Sequence, residues 1–398
     1  MSELLHRLLS ESTGSLRQRA KDLGLPHALL WRELLIVDIL NHEEGEEPIP
    51  FGTGVLEVHN EGFGFLRSAR DNFLPGNDDI YVSQAQIRRF NLRTGDTVIG
   101  RVRAPKDNER YPALLRIEAV SGDRPDRERV TFNRLPAAAP TTHVDLSDIS
   151  EPLGGANLLA PLGFGSRGLL VAPAREHRTD LLMDLARNFY EKHDTEAIVL
   201  LVGGRPDEAE RWQGLGCACV VTIPFDEPTS RQLNVAELVL ARAQREAESG
   251  FDTVVLIDSA TRLLRAAMAE PGANGRMWSG ADLGALQKVR QLLGAARATA
   301  DAGTVTVVAT ANHRQDGSMG DALLADLDEV IDWRIEYEAQ NAGVLPKVVP
   351  SGCWSRHVGR LLSPEGSLRT QQLRQRLTED PPASSQTLQE AIEEIRGH

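Results

Sequence analysis

Two segments near the start of the chain, "SLRQRAKDLGL" and "HALLWRELLIVDILNHE", space their apolar residues at the period of a helix. From Phe51 the period changes. "GVLEVHN", "GFGFLRS", "DDIYVS", "DTVIGRVRAP" and "YPALLRIEAV" alternate apolar and polar positions in short runs separated by turn residues, which predicts five strands. A stretch rich in Pro, Ala and Thr, "NRLPAAAPTTHVDLSD", follows and reads as a linker. Beyond it, apolar runs such as "TVVLIDS" alternate with amphipathic helices, the sign of a parallel sheet covered on both faces. The expected fold class is α/β and multidomain.

Composition narrows this picture. At 398 residues the chain is too long for one ordinary core, so two or three domains are expected. With 41% apolar and 25% charged residues it is an ordinary globular chain. No apolar run approaches the roughly 20 residues of a membrane span, and "MSELLHRLLSES" lacks the plan of a signal peptide, so a cytoplasmic protein without membrane contact is expected. Cys217, Cys219 and Cys353 do not suit a disulfide framework or zinc-ligand spacing; they read as buried apolar residues, and no metal site is expected. The net charge of −13 excludes a surface that seeks nucleic acid everywhere. Between Phe51 and Glu118, however, ten Lys and Arg face nine acids, so a local site is open.

That segment holds the first candidate chemistry. Five short strands in about seventy residues fit a small barrel of the oligonucleotide-binding kind. In "EGFGFLRS", alternation places Phe63 and Phe65 on one face, with glycines expected to let another flat group come close. An exposed aromatic pair is a stacking platform for bases, and Tyr81 and Tyr111 add to it. Arg67, Arg88, Arg89, Lys106 and Arg110 supply positive charge for phosphates. The second candidate is "VAPAREHRTD", placed after an apolar run and before a helix, where a nucleotide-binding loop belongs. Of the glycines, lysine and threonine such a loop uses, only Thr179 is present.

The run "DDIYVSQAQIRRFNLRTGDTV", between "GVLEVHNEGFGFLRS" and "NERYPALLRIEAV", resembles the RNA-binding domain of the bacterial transcription termination factor Rho family. "LGFGSRGLLVAP", "FDEPTSRQLNVAELVLARA", "TVVLIDSATRLLRA" and "LLGAARATADAGTVTVVATA" resemble that family's ATPase domain. The resemblance implies a helical unit over residues 1–46, an RNA-binding barrel of OB/cold-shock type over 50–120 and a linker over 121–154. It further implies a RecA-like domain over 155–362, working as a ring, and leaves 363–398 as a divergent tail. It assigns RNA binding to Phe63, Phe65, Arg67, Tyr81, Arg88, Lys106, Glu109, Arg110 and Tyr111.

Against that pattern the motor positions depart. Where the family's loop ends in Gly-Lys-Thr, this chain has His177, Arg178 and Thr179. A histidine blocks backbone approach, Glu176 adds a carboxylate beside an anion, and arginine is not a substitute for the lysine point charge. The family's water-activating glutamate is replaced by Gly204, which removes a general base worth about 10²–10⁴-fold in rate. Its trans-acting arginine is matched by Ala342. Asp258, at the end of the Mg²⁺-associated strand, is retained, so Arg178, Thr179 and Asp258 make up a vestigial nucleotide site in which no cofactor is required and only residual ATP and Mg²⁺ binding is expected. The ring-lining loops lack their lysines, with Arg276 near the first and Met319 or Gly320 at the second. Trp212, Trp278, Trp333 and Trp354 read as packing residues.

Three functions stay open on the sequence. The first is an RNA-binding protein without ATP hydrolysis that modulates termination by competing for pyrimidine-rich single-stranded RNA or by entering Rho assemblies. Its implied partners are RNA, Rho and RNA polymerase, as a homo-oligomer or in mixed rings. The second is an active, divergent RNA-dependent ATPase and helicase, and the third a protein-interaction module that does not bind RNA.

Overall fold

The structure, a computed structural model, describes residues 2–27, 31–44, 49–146, 149, 151–172, 175–193, 195–270, 275–312, 318–338 and 347–379. Helices α1 (Glu3–Ser10), α2 (Thr13–Asp22) and α3 (Arg32–Glu43) come first. The hydroxyls of Ser2 and Ser12 cap α1 and α2 by accepting from the backbone N–H groups of Leu5 and Ser15. Leu5, Leu8 and Leu16 join Leu35, Ile36 and Ile39 in an apolar cluster that takes in Phe51 and Ile99 of the following strands. Helices and strands here share one core.

Strands β1 (Phe51–Val58), β2 (Gly64–Arg67), β3 (Ile80–Val82), β4 (Thr97–Arg103) and β5 (Ala113–Val120) close into a barrel in the order β1-β2-β3-β5-β4. Helix α4 (Gln84–Arg89) joins β3 to β4 and starts with a capping box between Ser83 and Gln86. The strand period of two puts Ile80 and Val82 inside and Tyr81 outside. No helix among the described residues is long and apolar enough to cross a membrane.

The second sheet is parallel through six strands: β6 (Arg167–Ala172), β7 (Ala197–Gly204), β8 (Ala218–Pro224), β9 (Thr253–Asp258), β10 (Val305–Asn312) and β11 (Trp333–Glu338). Their order is β8-β7-β9-β10-β6-β11. Successive residues of β9 feed different cores: Val255 and Ile257 enter one apolar cluster, Val254 and Leu256 another. Such two-sided burial requires apolar residues at every position and helices on both faces. Helix α5 (Glu151–Leu159) precedes β6, and α6 (Arg175–His193), α7 (Pro206–Gln213) and α8 (Thr229–Glu248) follow β6, β7 and β8. Helices α9 (Ala260–Ala269), α10 (Leu283–Leu293) and α11 (Ser318–Asp328) complete the alternation.

Two segments differ from their expected character. In the stretch read as a linker, Phe132 is buried, Ala137–Ala138 pairs with Ala298–Thr299, and His143–Val144 pairs with Leu162–Gly163. It packs along the parallel-sheet region. The segment expected to be a divergent tail begins with helix α12 (Pro364–Glu379), whose Leu373 and Leu377 are buried and whose Thr370 and Arg374 donate to the carbonyls of Leu158 and Leu159 in α5. The amphipathic spacing of Leu373 and Leu377 explains the docking. The remainder, 380–398, lies outside the described residues. The three cysteines are buried, Cys217 with its thiol pushed up to about 11 by burial.

Barrel and parallel sheet meet along α8. Glu248, buried near its C-terminus, accepts from Arg93 and from the backbone N–H of Phe132, and pairs with Arg245 at 3.0 Å. One turn and a half earlier, Arg242 pairs with Glu33 of α3 at 3.2 Å and with Glu246 at 2.6 Å, its guanidinium 4.1 Å from the Trp31 ring. Between them Gly95, at φ +93°, lies against the backbone of Ala241. A Cβ at residue 95 would stand 2.5 Å from the Ala241 carbonyl carbon, so only glycine allows this approach. Gly95→Ala is expected to destabilise by roughly 2–4 kcal/mol, from left-handed strain plus the clash. Gly24→Ala, at φ +70° with nothing within 4 Å, is the control and should cost only about 1–2 kcal/mol. Denaturant unfolding of both variants checks the difference.

Candidate functional site: an aromatic platform and an altered phosphate loop

The outer face of β2 and β3 carries a continuous aromatic surface. Register pairs Phe65 with Tyr81, and Phe63 precedes β2 at the end of the β1–β2 turn. Phe65 is central: its ring centroid lies 5.8 Å from Phe63, 6.0 Å from Tyr81 and 4.8 Å from Tyr111. These edge-on geometries leave ring faces available for stacking. The phenylalanines are half-buried and Tyr81 is exposed, so the "FGF" motif packs against its neighbours and still keeps aromatic surface at the exterior.

One member was missed in the sequence. His59 stacks on Phe63 at 5.1 Å with planes 14° apart, and its backbone N–H donates to the Phe63 carbonyl to close the turn. Its position opposite Phe63 across a four-residue turn was the available signal.

The glycines act differently from the expectation. A Cβ at Gly64 would meet the Glu57 carbonyl at 2.7 Å and Leu56 at 2.8 Å. This glycine admits β1 against β2 from within the barrel and does not open space for a ligand.

Arg67 is also corrected. It is 6% exposed, and its guanidinium is held by Glu57 at 2.6 Å and by the carboxylate of Asp79, while lying 5.2 Å from the Phe65 ring. A guanidinium with both ends committed to carboxylates braces Phe65 from behind. Its Nε and Nη1 are thus spent on carboxylates and not on a ligand in this structure.

Beside Tyr81 and Tyr111 opens a cavity of about 590 Å³, also lined by Ser83, Gln86, Arg103, Glu109 and Arg110. Arg110 donates to Asn77 at 3.1 Å and lies 5.2 Å from the Tyr111 ring. The hydrogen bond from Arg103, with help from the Lys106 backbone N–H, pushes the Glu109 carboxyl down to about 2, so it is an ionised acceptor. Lys106 thus contributes through its main chain, its side chain being exposed. Arg88 is exposed at the C-terminal end of α4 and is not among the residues that line this cavity. An aromatic surface flanked by an acceptor–donor pair can stack a flat heterocycle and read its polar edge.

The second candidate lies where β6 ends and α6 begins, with residues 173 and 174 between them outside the described residues. Arg178 is 5% exposed and donates to the Ala172 carbonyl at 2.9 Å. The Thr179 hydroxyl donates to Asp258 at 3.1 Å, and Thr310 donates to the other Asp258 oxygen at 3.2 Å. The structure therefore brings Arg178, Thr179 and Asp258 to one end of the sheet. Gly203 takes φ +56°, and a Cβ on Gly204 would meet the Thr222 methyl at 3.1 Å. Ala342 lies outside the described residues. Among the tryptophans, Trp212 and Trp333 are buried as expected; Trp278 is 44% exposed in a hairpin of two-residue strands, so it is not a buried packing residue.

The family profile described as Rho termination factor, RNA-binding domain, matches residues 52–126. Transcription termination factor Rho of Pseudomonas fluorescens biotype C is 40% identical over 318 residues, 77% of this chain and 76% of that protein. Rho of Thermotoga maritima is 39% identical over 330 residues, 81% and 77% of the two chains. Rho of Rhodopirellula baltica is 37% identical over 382 residues, 93% and 74%. Two solved structures share the fold at a TM-score of 0.51: a prototypical ATPase from the type III secretion system of pathogenic bacteria, 18% identical over 62% of this chain and 72% of that one, and ATP synthase subunit NeqB from Nanoarcheaum equitans, 14% identical over 64% of each. Barrel, RecA-like sheet and extended sequence identity agree: this chain belongs to the transcription termination factor Rho family.

Proposed function

We propose that this chain binds pyrimidine-rich single-stranded RNA on the platform without hydrolysing ATP, and modulates Rho-dependent termination by competing for RNA or by entering Rho assemblies. In this reading Phe63, Phe65, Tyr81 and Tyr111 stack bases, while Glu109 and Arg110 read polar edges and hold backbone. The observation that carries it is the contrast between the two sites. Every aromatic of the platform is in place, whereas the residues at the loop do not fit a triphosphate. One Arg178 Nη donates to the Ala172 carbonyl, there is no lysine between Pro173 and Asp180, and a methyl-sized side chain at residue 204 already meets Thr222. An active ATPase is the second reading, and the hydrogen bond between Thr179 and Asp258 favours it.

Phosphate release with saturating poly(C) RNA and Mg-ATP, measured beside an authentic Rho, distinguishes the two. RNA binding on the same sample without release above background is expected; release near the Rho rate would discard the proposal. Gly204→Glu alone is expected to leave release at background. Phe65→Ala should weaken single-stranded RNA by roughly 10- to 100-fold, the loss of about 1–3 kcal/mol of stacking. Glu109 has its folded-state pKa below the ordinary carboxylate value, so its pairing with Arg103 is complete above about pH 4.5 and is lost only as pH falls towards 2. Glu109→Gln is thus expected to lower RNA affinity by the same factor at pH 8 and pH 5.5 in a titration at constant salt.

A further inference from the structure

Between Arg88 and Arg134 the chain carries twelve arginines and lysines against seven acids, although the whole protein has a net charge of −13. Part of that charge is spent inside the fold: Arg93 goes to Glu248, Arg103 to Glu109, and Arg129 to Asp96. Another part is not. Arg88, Arg89, Arg124 and Arg134 are exposed, and none of them makes an ion pair among the described residues. Arg89, Arg127 and Arg134 come together with Phe90 and Val130 around a surface cavity of about 820 Å³. Arg127 pairs with Asp123, but this pair is exposed and is worth little against a phosphate. Val130 is 54% exposed, and the Arg89 guanidinium lies 5.2 Å from the Phe90 ring. Phe90, Pro125 and Val130 give the groove an apolar patch, and on its rim Arg89, Arg127, Arg129 and Arg134 outnumber the carboxylates of Asp126 and Glu128.

Its position gives it a role. Ser83 and Gln86, at the first turn of α4, line the cavity beside Tyr81 and Tyr111, and Arg89, at the last turn, lines this groove. A helix of six residues spans roughly 9 Å at about 1.5 Å per residue, so the two openings are one short helix apart. The floor of the groove is formed by the segment that leaves β5, including Arg127 and Val130, and this segment runs towards Phe132 and the parallel sheet.

We infer that the single-stranded RNA seated on the platform continues past the C-terminal end of α4 into this groove, where Arg89, Arg127 and Arg134 bind its phosphodiester backbone. This inference rests on the platform reading above and extends it. Arginine forks match phosphate oxygens and cost little to desolvate at a rim. The groove contributes affinity and direction without base preference, because charges on the backbone carry no sequence information. It also explains why a strongly acidic protein concentrates unpaired arginines in one segment.

The test compares two probes on the full chain: cytidine dinucleotide, which reaches only the platform, and an oligocytidine of about twelve nucleotides, within the site sizes of such barrels. Affinities are measured from about 0.05 to 0.2 M salt. For a combined Arg89→Gln, Arg127→Gln, Arg134→Gln variant, the long probe is expected to bind on the order of tenfold more weakly, its logarithmic salt slope falling by about 2 at about 0.7 per phosphate contact. Dinucleotide binding should be unchanged, and the corresponding triple lysine variant should retain most of the slope. Unchanged long-probe affinity and slope in the glutamine variant would overturn the groove while leaving the platform standing. Equal weakening of both probes would overturn it too, since the substitutions would then act through the platform. Failure of the unsubstituted chain to bind either probe would overturn the platform reading, and the groove with it.

Discussion

The barrel is registered on the parallel sheet by the charges buried on one face of α8. Glu248, with its side chain only 2% exposed, gathers Arg93 from the barrel, Arg245 from its own helix and the Phe132 N–H from the connecting segment. Arg242 does the same for Glu33 and Trp31 of the first helices. A buried ion pair contributes little net stability over an apolar contact of the same shape, but losing one partner strands the other at a cost of about 3–5 kcal/mol. The seam therefore specifies how the parts sit more than it strengthens them. Asn72 accepting from the Thr222 N–H adds a further fixed point, directly between the segment after β2 and β8.

This fixed arrangement gives meaning to the unequal state of the two sites. The platform depends on short-range order: a barrel strand, a turn closed by His59, and Arg67 held between Glu57 and Asp79 behind Phe65. On the proposed reading the parallel sheet keeps its fold without a working nucleotide loop, because β9 and β10 are packed from both faces by apolar side chains. On that reading the fold of a motor and the chemistry of a motor are separable.

Much of this was legible in the sequence, and the reasons differ by element. The barrel and the parallel sheet follow from periods of two and from continuous apolar runs, which are local properties. Phe63, Phe65 and Tyr81 were legible because strand alternation fixes their face. Arg67 was not, since its fate depends on Asp79, twelve residues on and brought back by β3. Gly64 looks the same in sequence whether it makes room for a ligand or for a neighbouring strand, and only the register with Glu57 decides. Trp278 and α12 show the two opposite errors of composition: an aromatic that is left exposed, and a charged segment that docks two leucines.

The hydrogen bond from Arg178 to Ala172 has a thermodynamic consequence for the whole chain. A nucleotide-filled loop draws stability from its ligand, by an amount that rises with the logarithm of ligand concentration. On the proposed reading this loop holds no nucleotide and draws none. On the proposed reading the fold is constitutive: its stability is written into the polypeptide and does not follow the adenylate pool, so the protein remains assembled when ATP is depleted and energy-dependent relatives loosen their hold on their own nucleotide.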